Sequence, residues 1–451
     1  MDAAIPSPPP AEVSHRRVLL LALPMTLSHV TTPLLGLVGA TVIGRLGEAH
    51  LLGAVALGAV IFDFLFWSFG ALRMATAGLT AQATGADSSS EVDLTVARAL
   101  AVALLVGAAM ILLQSPIGLV ALRFAGASET VTEALKIYFF IRIWSAPFTL
   151  ANYAVLGSVL GRGRTDVGLL LQVAINLVNI ALTLVLVLGW HLGVAGVAAA
   201  AVIAEAAGLA LGAAALARLG SHPWRVERRA LLDRAAMRRT LAINGNLMVR
   251  SAALIAAFGA FTALSARSGD LVLAANAVLQ NLFFIGGYFL DGFATAAETL
   301  CGQALGARNE RGFRRAVRLS LLWSLGFGLV VSGVFLLTGN AFIDLVTTNA
   351  DVRLVARDYL VFAALAPLIG AAAFAFDGIY AGATWTRTQR DLMLAALAAF
   401  GLALLALRGS GNAGLWLAFL AFLGARAAGQ ALLYPHLAAA TFRRPRPALA
   451  Q

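Results

Sequence analysis

Apolar runs long enough to cross a bilayer recur along almost the whole chain, each followed by a short polar connection. A helix of about 20 apolar residues covers the ~30 Å hydrocarbon core. Twelve such runs can be marked, at 18–44, 51–83, 94–114, 132–160, 167–189, 193–217, 240–264, 271–305, 315–337, 354–383, 390–407 and 413–437. In lipid every backbone polar group must be paired within the protein, and a helix does this inside its own segment. The expectation is an all-α polytopic membrane protein with twelve transmembrane helices. Composition agrees, with 60% hydrophobic and 12% charged residues, against about 25% charged in soluble domains. The net charge of +11 would suit a nucleic-acid binder only if the basic residues formed a stripe beside stacking aromatics, and they are scattered between apolar runs. The single cysteine, Cys301, stands inside an apolar run, so no disulfide framework and no Cys/His metal cluster is expected. No cofactor is expected either.

Arginine placement orients the spans. Cytoplasmic loops are enriched in basic residues, and lysine is used only at Lys136. With the N-terminus inside, 21 arginines fall in inner segments and 6 in outer ones. Both termini are therefore expected in the cytoplasm of a multi-pass inner-membrane protein. The Pro-rich start of the chain is expected to be a disordered tail over 1–17. The apolar run after Arg16 and Arg17 is too long for a secretory signal.

The chain also repeats itself. Gln82, Gly85 and Ala86 match Gln303, Gly306 and Ala307 at an offset of 221, and Gly157 and Gly161 match Gly378 and Gly382 at the same offset. Residues 204–208 answer 425–429, again 221 apart, and Pro147 pairs with Pro367 at 220. The expected organisation is two pseudo-symmetric six-helix bundles, 18–217 and 240–437, joined by a basic cytoplasmic linker over 218–239, with a tail over 438–451. An even number of spans per half relates the halves by an axis along the membrane normal, with a substrate site between them.

Ionisable residues within the bilayer are costly and so are functional candidates, the alternative being buried pairs that fix helix packing. Asp63, Glu205, Arg250 and Asp291 stand near mid-span, while Arg73, Arg142, Glu298, Asp377 and Arg426 lie nearer span ends or at intermediate depth. Removal from water disfavours a charged carboxylate, so such a group can take up a proton on one side and release it when a cation arrives. Asp63, Glu205, Asp291, Glu298 and Asp377 are thus ion-coupling candidates. Asp291, Thr295 and Glu298 share one helix face. Phe62, Phe66, Arg250, Phe284 and Tyr288 are candidates for an amphiphile-binding cavity, with lipid or helix packing as the other reading of the aromatics. Pro24, Pro147 and Pro367 lie within spans and are expected to allow kinks.

Several blocks resemble the multidrug and toxic compound extrusion (MATE) family, and more specifically its DinF-type branch. They are 31–38 with Val42-Ile43-Gly44, Leu72-Arg73-Met74, Gly78-Leu79-Thr80-Ala81-Gln82-Ala83, Val202-Ile203-Ala204-Glu205, 275–279, Leu290-Asp291-Gly292-Phe293-Ala294, Asp377-Gly378 and Gly382-Ala383-Thr384. The resemblance runs from about residue 16 to 437. It implies a transporter, not an enzyme, that exports organic, often cationic or amphiphilic, compounds in exchange for H⁺ or, less favoured, Na⁺, functioning as a monomer. Family members carry a first-span aspartate in a Gly-Leu-Val-Asp setting, and here Gly36-Leu37-Val38 is followed by Gly39. Asp63 is a candidate to stand in for that missing acid, with Glu205, Asp291 and Asp377 as rivals.

Two other functions remain open at this point. A lipid-linked precursor flippase of the same superfamily would use a cationic cavity, for which Arg73, Arg142, Arg250 and Arg426 are available. A membrane-embedded transferase would need clustered acidic metal ligands, and Asp87, Glu91 and Asp93 are the one nearby group. No Walker-type loop supports ATP-driven export.

Overall fold

The computed structural model describes residues 13–45 and 48–443, apart from the side chains at 29–37 and 124. Most of the expected N-terminal tail, and the last eight residues, lie outside it. The helices are α1 (His15–Gly44), α2 (Ala49–Ser68), α3 (Ala71–Gly85), α4 (Ser89–Leu112), α5 (Gln114–Ala125), α6 (Glu129–Arg142), α7 (Ala146–Gly161) and α8 (Thr165–Thr183). They continue as α9 (Gly193–Arg218), α10 (Arg228–Leu231), α11 (Arg234–Arg267), α12 (Asp270–Gly306), α13 (Glu310–Val346), α14 (Ala350–Gly382), α15 (Thr386–Ala406) and α16 (Gly411–Arg443).

Eleven segments are long and apolar enough to cross a membrane, and the 30-residue α1 brings the number among the described residues to twelve. Each coincides with an expected run. The largest differences are at α13, which continues to Val346 instead of 337, at α11, which starts at Arg234 instead of 240, and at α16, which reaches Arg443 instead of 437. Leu337, Leu345 and Leu112 are more than four-fifths exposed, a placement that suits lipid and would be unfavourable in water.

Sequence reading smoothed over several local features. The second span is broken at Phe69-Gly70 into α2 and α3. The fourth span passes through a 3₁₀ turn at Ile143–Ser145, so Pro147 sits in the first turn of α7, where its missing N–H costs no bond. Pro367 is inside α14. α8 runs into a π-helical turn, Leu184–Gly189, and α5 is a short extra helix between spans.

The described residues divide into two compact units. One takes in Leu27–Asn244; the other takes in Gly245 onward together with the segment that ends at Thr26. The chain therefore changes unit within α1 and again within α11. In the second unit the start of α1 runs antiparallel to α12: Arg17 donates to Gln303 (3.1 Å), and Gly292 lies against the Ala22 carbonyl and the Thr26 side chain. In the first unit the basic connection is tied down. Asp93 accepts from the Ser221 hydroxyl and the His222 N–H (3.2 Å), and Arg98 donates to the Ala230 carbonyl (2.9 Å).

Within each unit the closest helix contact is made by glycine. A Cβ at Gly157 would stand 2.5 Å from the Arg73 carbonyl oxygen, and one at Gly161 2.5 Å from that of Ala77. Gly378 meets the carbonyl of Ala294, and Gly382 that of Glu298, more closely still. These partners are again 221 residues apart, so the repeat read from sequence is a repeat of packing. The turns repeat as well. Asp87 and Arg308 both have φ of 55°, and Gly163 (φ 76°) answers Thr384 (φ 54°). Ser88 and Asn309, the next residues after Asp87 and Arg308, cap α4 and α13 with their side chains.

A test follows from the α12–α14 contact. Gly378→Ala puts a methyl group into a backbone carbonyl and should cost about 3 kcal/mol or more. Gly401→Ala, with open space around it, should be neutral or slightly stabilising by about 0.5–1 kcal/mol. Thermal unfolding of detergent-purified protein measures both.

Candidate functional site

Apart from Asp291 and Glu298, the intramembrane charged candidates gather into one cluster in each unit. In the first, Phe62 and Phe66 stand one turn apart on α2 and are buried in the core. Their rings are 5.6 Å apart, and Phe62 packs on Phe139 at 5.3 Å. Arg142, the last residue of α6, lies over both rings at 5.6 and 5.4 Å and donates to Ser145 in the 3₁₀ turn. The aromatic pair thus supports a cation from below. Asp63, between the two phenylalanines, is exposed and feels the charge of Arg142. Across α7, Asn152 donates to the side chain and the main-chain carbonyl of Glu205, at 2.8 and 2.9 Å. Tyr153 beside it senses the charges of Glu205, Arg73, Asp63 and Arg142. Two carboxylates and two arginines therefore share one neighbourhood with no formal excess charge. Gly39 is buried, and the nearest atom to a Cβ placed there is Val197 Cγ1 at 4.0 Å, so a side chain has room at that position.

The second cluster centres on Asp377 of α14. One carboxylate oxygen accepts from Arg250 of α11 and from Arg426 of α16 (2.7 Å). The other accepts from Gln430 (2.8 Å) and Gln389 (3.2 Å), and Gln389 also reaches the Asp377 carbonyl at 3.2 Å. All five residues are buried. Arg426 is further stacked near Phe422 (5.5 Å) and Phe374 (5.9 Å). The close packing at Gly378 explains the placement. Residue 378 must face α12, so residue 377, turned 100° away along the helix, faces α11 and α16.

The other candidates lie elsewhere. Asp291 is half-buried on α12 and Glu298 is buried two turns on, while the Thr295 hydroxyl between them bonds the Asp291 carbonyl at 3.0 Å. Phe284 packs against Phe258 (5.3 Å) and Phe283 (5.9 Å), and Tyr288 is half-buried. Of the acids weighed as metal ligands, Glu91 pairs with Arg98 (3.1 Å) and Asp93 holds Ser221 and His222. No three His, Cys, Asp or Glu side chains among the described residues come together as a metal site.

Sequence reasoning missed the amides. Gln389, Gln430 and Asn152 carry no charge to draw attention, yet each bonds a buried or half-buried carboxylate. Gln430 was detectable as a polar residue one turn after Arg426. It also missed a neutral network in the second unit, where Asn276 donates to Ser265 and Asn412 (both 2.7 Å) and accepts from Asn412 (3.0 Å) and Trp416 (2.9 Å).

The two arginines on Asp377 predict an asymmetry. Asp377→Ala leaves two buried cations unpaired and should cost about 3–5 kcal/mol, whereas Arg426→Met leaves a neutral Asp377–Arg250 pair and should cost less. Equal losses of thermal stability would contradict this.

Comparison with known proteins bears on the architecture and the family. The MatE family profile matches residues 24–185 and 247–407, once in each half. The chain is 40% identical over 415 residues to the DNA damage-inducible protein F of Escherichia coli K12, covering 92% of this chain and 90% of that one. It is 29% identical over 441 residues to the probable multidrug resistance protein NorM of Deinococcus radiodurans, covering 91% and 93%. Its fold matches the MATE transporter VcmN of Vibrio cholerae with a TM-score of 0.84 at 20% identity, over 95% of this chain and 97% of that one. The chain therefore belongs to the MATE family of multi-pass membrane transporters, in its DinF-type branch.

Proposed function

We propose that this protein is a proton-driven antiporter of the inner membrane, with both termini in the cytoplasm. It works as a monomer and exports amphiphilic organic compounds, cationic ones among them, as its two halves alternate in access. The observation that carries the coupling assignment is the contrast between Asp63 and Asp377. Asp377 receives four side-chain hydrogen bonds, two of them from guanidinium groups, so both of its oxygens are occupied by fixed partners. Asp63 is exposed on its helix, with Arg142 supported nearby on two phenylalanine rings. A carboxylate in that position can trade a proton for a substrate cation. Arg142 places a positive charge in the same neighbourhood. Glu205, held by Asn152 in the same neighbourhood, is the second acid of the exchange. Asp291 and Glu298 remain coupling candidates in the other unit.

Reconstituted protein with an imposed ΔpH or ΔpNa and a cationic dye tests the reading. Efflux should follow ΔpH. Asp63→Asn should lower ΔpH-driven efflux by at least about tenfold, the scale set by a dedicated proton-transfer group, whereas Asp291→Asn should lower it less. Gly39→Asp in the Asp63→Asn background should recover part of the loss, because a side chain fits there. Unchanged efflux in Asp63→Asn sinks the assignment, and efflux that follows ΔpNa alone replaces the proton with sodium.

The four intramembrane arginines favour a second reading, a flippase for a lipid-linked precursor. Accumulation of lipid-linked sugar in a deletion strain would decide for it.

A further inference from the structure

The Asp377 cluster is one anion short. Arg250 and Arg426 face a single carboxylate, all three buried, and the charges that act on Arg426 are those of Asp377 and Arg250. One positive charge is thus left over in a medium where an unpaired charge is costly. Its hydrogen bonding is incomplete in the same place. The Nε–H donors of Arg250 and Arg426, and the Oε1 acceptors of Gln389 and Gln430, are buried with no protein partner. Each orphaned group has lost its water without gaining a bond in return. The Asn276–Asn412–Trp416 network described above, in the same unit, pairs each of its side-chain groups, whereas here four groups lack a protein partner in one cluster. A chain of polar residues leads toward the cluster from the start of α15. Arg390, partly exposed, donates to Asn246 (2.9 Å); Asn246 donates to Thr386 (3.4 Å) and stands one turn before Arg250 on α11.

We propose that Arg250, Arg426, Gln389 and Gln430 form a binding subsite for the anionic end of an organic amphiphile that carries a hydroxyl or N–H donor beside its carboxylate. The guanidinium N–H groups take the carboxylate, and the two amide oxygens accept from the donor. Asp377 is the internal anion that holds the arginines in place, and it competes with the ligand for them. The inference rests on the exporter reading for its biological meaning, and it gives that exporter zwitterionic and anionic substrates beside cationic ones.

The test uses the full-length protein in nanodiscs and dansyl-leucine, a carboxylate with a sulfonamide N–H next to it. Dansyl-leucinamide is the uncharged comparator. Fluorescence titration should show the acid bound at least about tenfold more tightly than the amide, the scale of one charge-assisted contact. Arg426→Gln, which leaves the cluster neutral, should abolish that preference. Asp377→Asn should move the other way and bind the acid more tightly, which a purely structural cluster would not do. Gln430→Leu changes no charge and should weaken acid binding severalfold, so it serves as the deciding variant if Asp377→Asn does not fold. Equal affinity for acid and amide overturns the proposal. So does an unaltered Arg426→Gln, weaker binding in a folded Asp377→Asn, or an unaltered Gln430→Leu. The exporter reading is judged separately, by gradient-driven movement of a cationic dye. Its failure with this binding pattern intact leaves the subsite standing, and driven export without the pattern removes the subsite alone.

Discussion

The contact on which both units depend is a glycine laid against a backbone carbonyl. Inside a bilayer, burying an apolar side chain against another helix gains little over leaving it in lipid, so helices associate by close packing of small residues. Gly157 and Gly161 bring α7 onto α3, and Gly378 and Gly382 bring α14 onto α12. Nothing larger fits at these four positions without moving a helix. The two pairs hold their partners at matching carbonyls, which makes each unit a separately braced frame of the same design.

That frame determines what the polar residues can do. With Gly378 locked to α12, Asp377 has no choice but to face α11 and α16, where two arginines and two amides meet it. On α9, one repeat before Arg426, the equivalent residue is Glu205. The same place in the packing therefore carries a negative charge in one unit and a positive charge in the other. The first unit has two acids and two bases near Tyr153, whereas the second has one acid bonded by two bases. Duplication supplied identical scaffolds, and the charge at matched positions then diverged in sign.

The architecture was largely legible in the sequence because it follows from quantities that are local and additive. Hydrophobic run length fixes the spans, and a constant offset between Gly157 and Gly378 survives because backbone contact tolerates no other residue. What was not legible depends on partners distant in the chain. Phe62 and Phe66 read either as cavity-lining or as packing aromatics, and only the fold shows that they are buried and carry Arg142 on their faces. Asp377 read as one coupling acid among five, and only the convergence of α11, α15 and α16 reveals that its four acceptor positions are taken. The breaks at Phe69-Gly70 and Ile143–Ser145 were hidden for a related reason. Hydropathy averages over a turn of helix and is blind to the single residues that interrupt one.

The difference between the clusters bears on what a transporter of this kind requires. An exchanging group must be able to lose its partner at modest cost, and a selecting group must be held in place when the site is empty. An exposed carboxylate near one supported cation meets the first condition, because neither charge is trapped by several bonds. A buried carboxylate with saturated acceptors fails it and meets the second, since it keeps two arginines from drifting while leaving their Nε–H groups unpaired. Two scaffolds of common design can therefore divide the work. In the proposed exchange, one unit offers the group that changes its charge, and the other offers a fixed field for the proposed anionic end of the ligand.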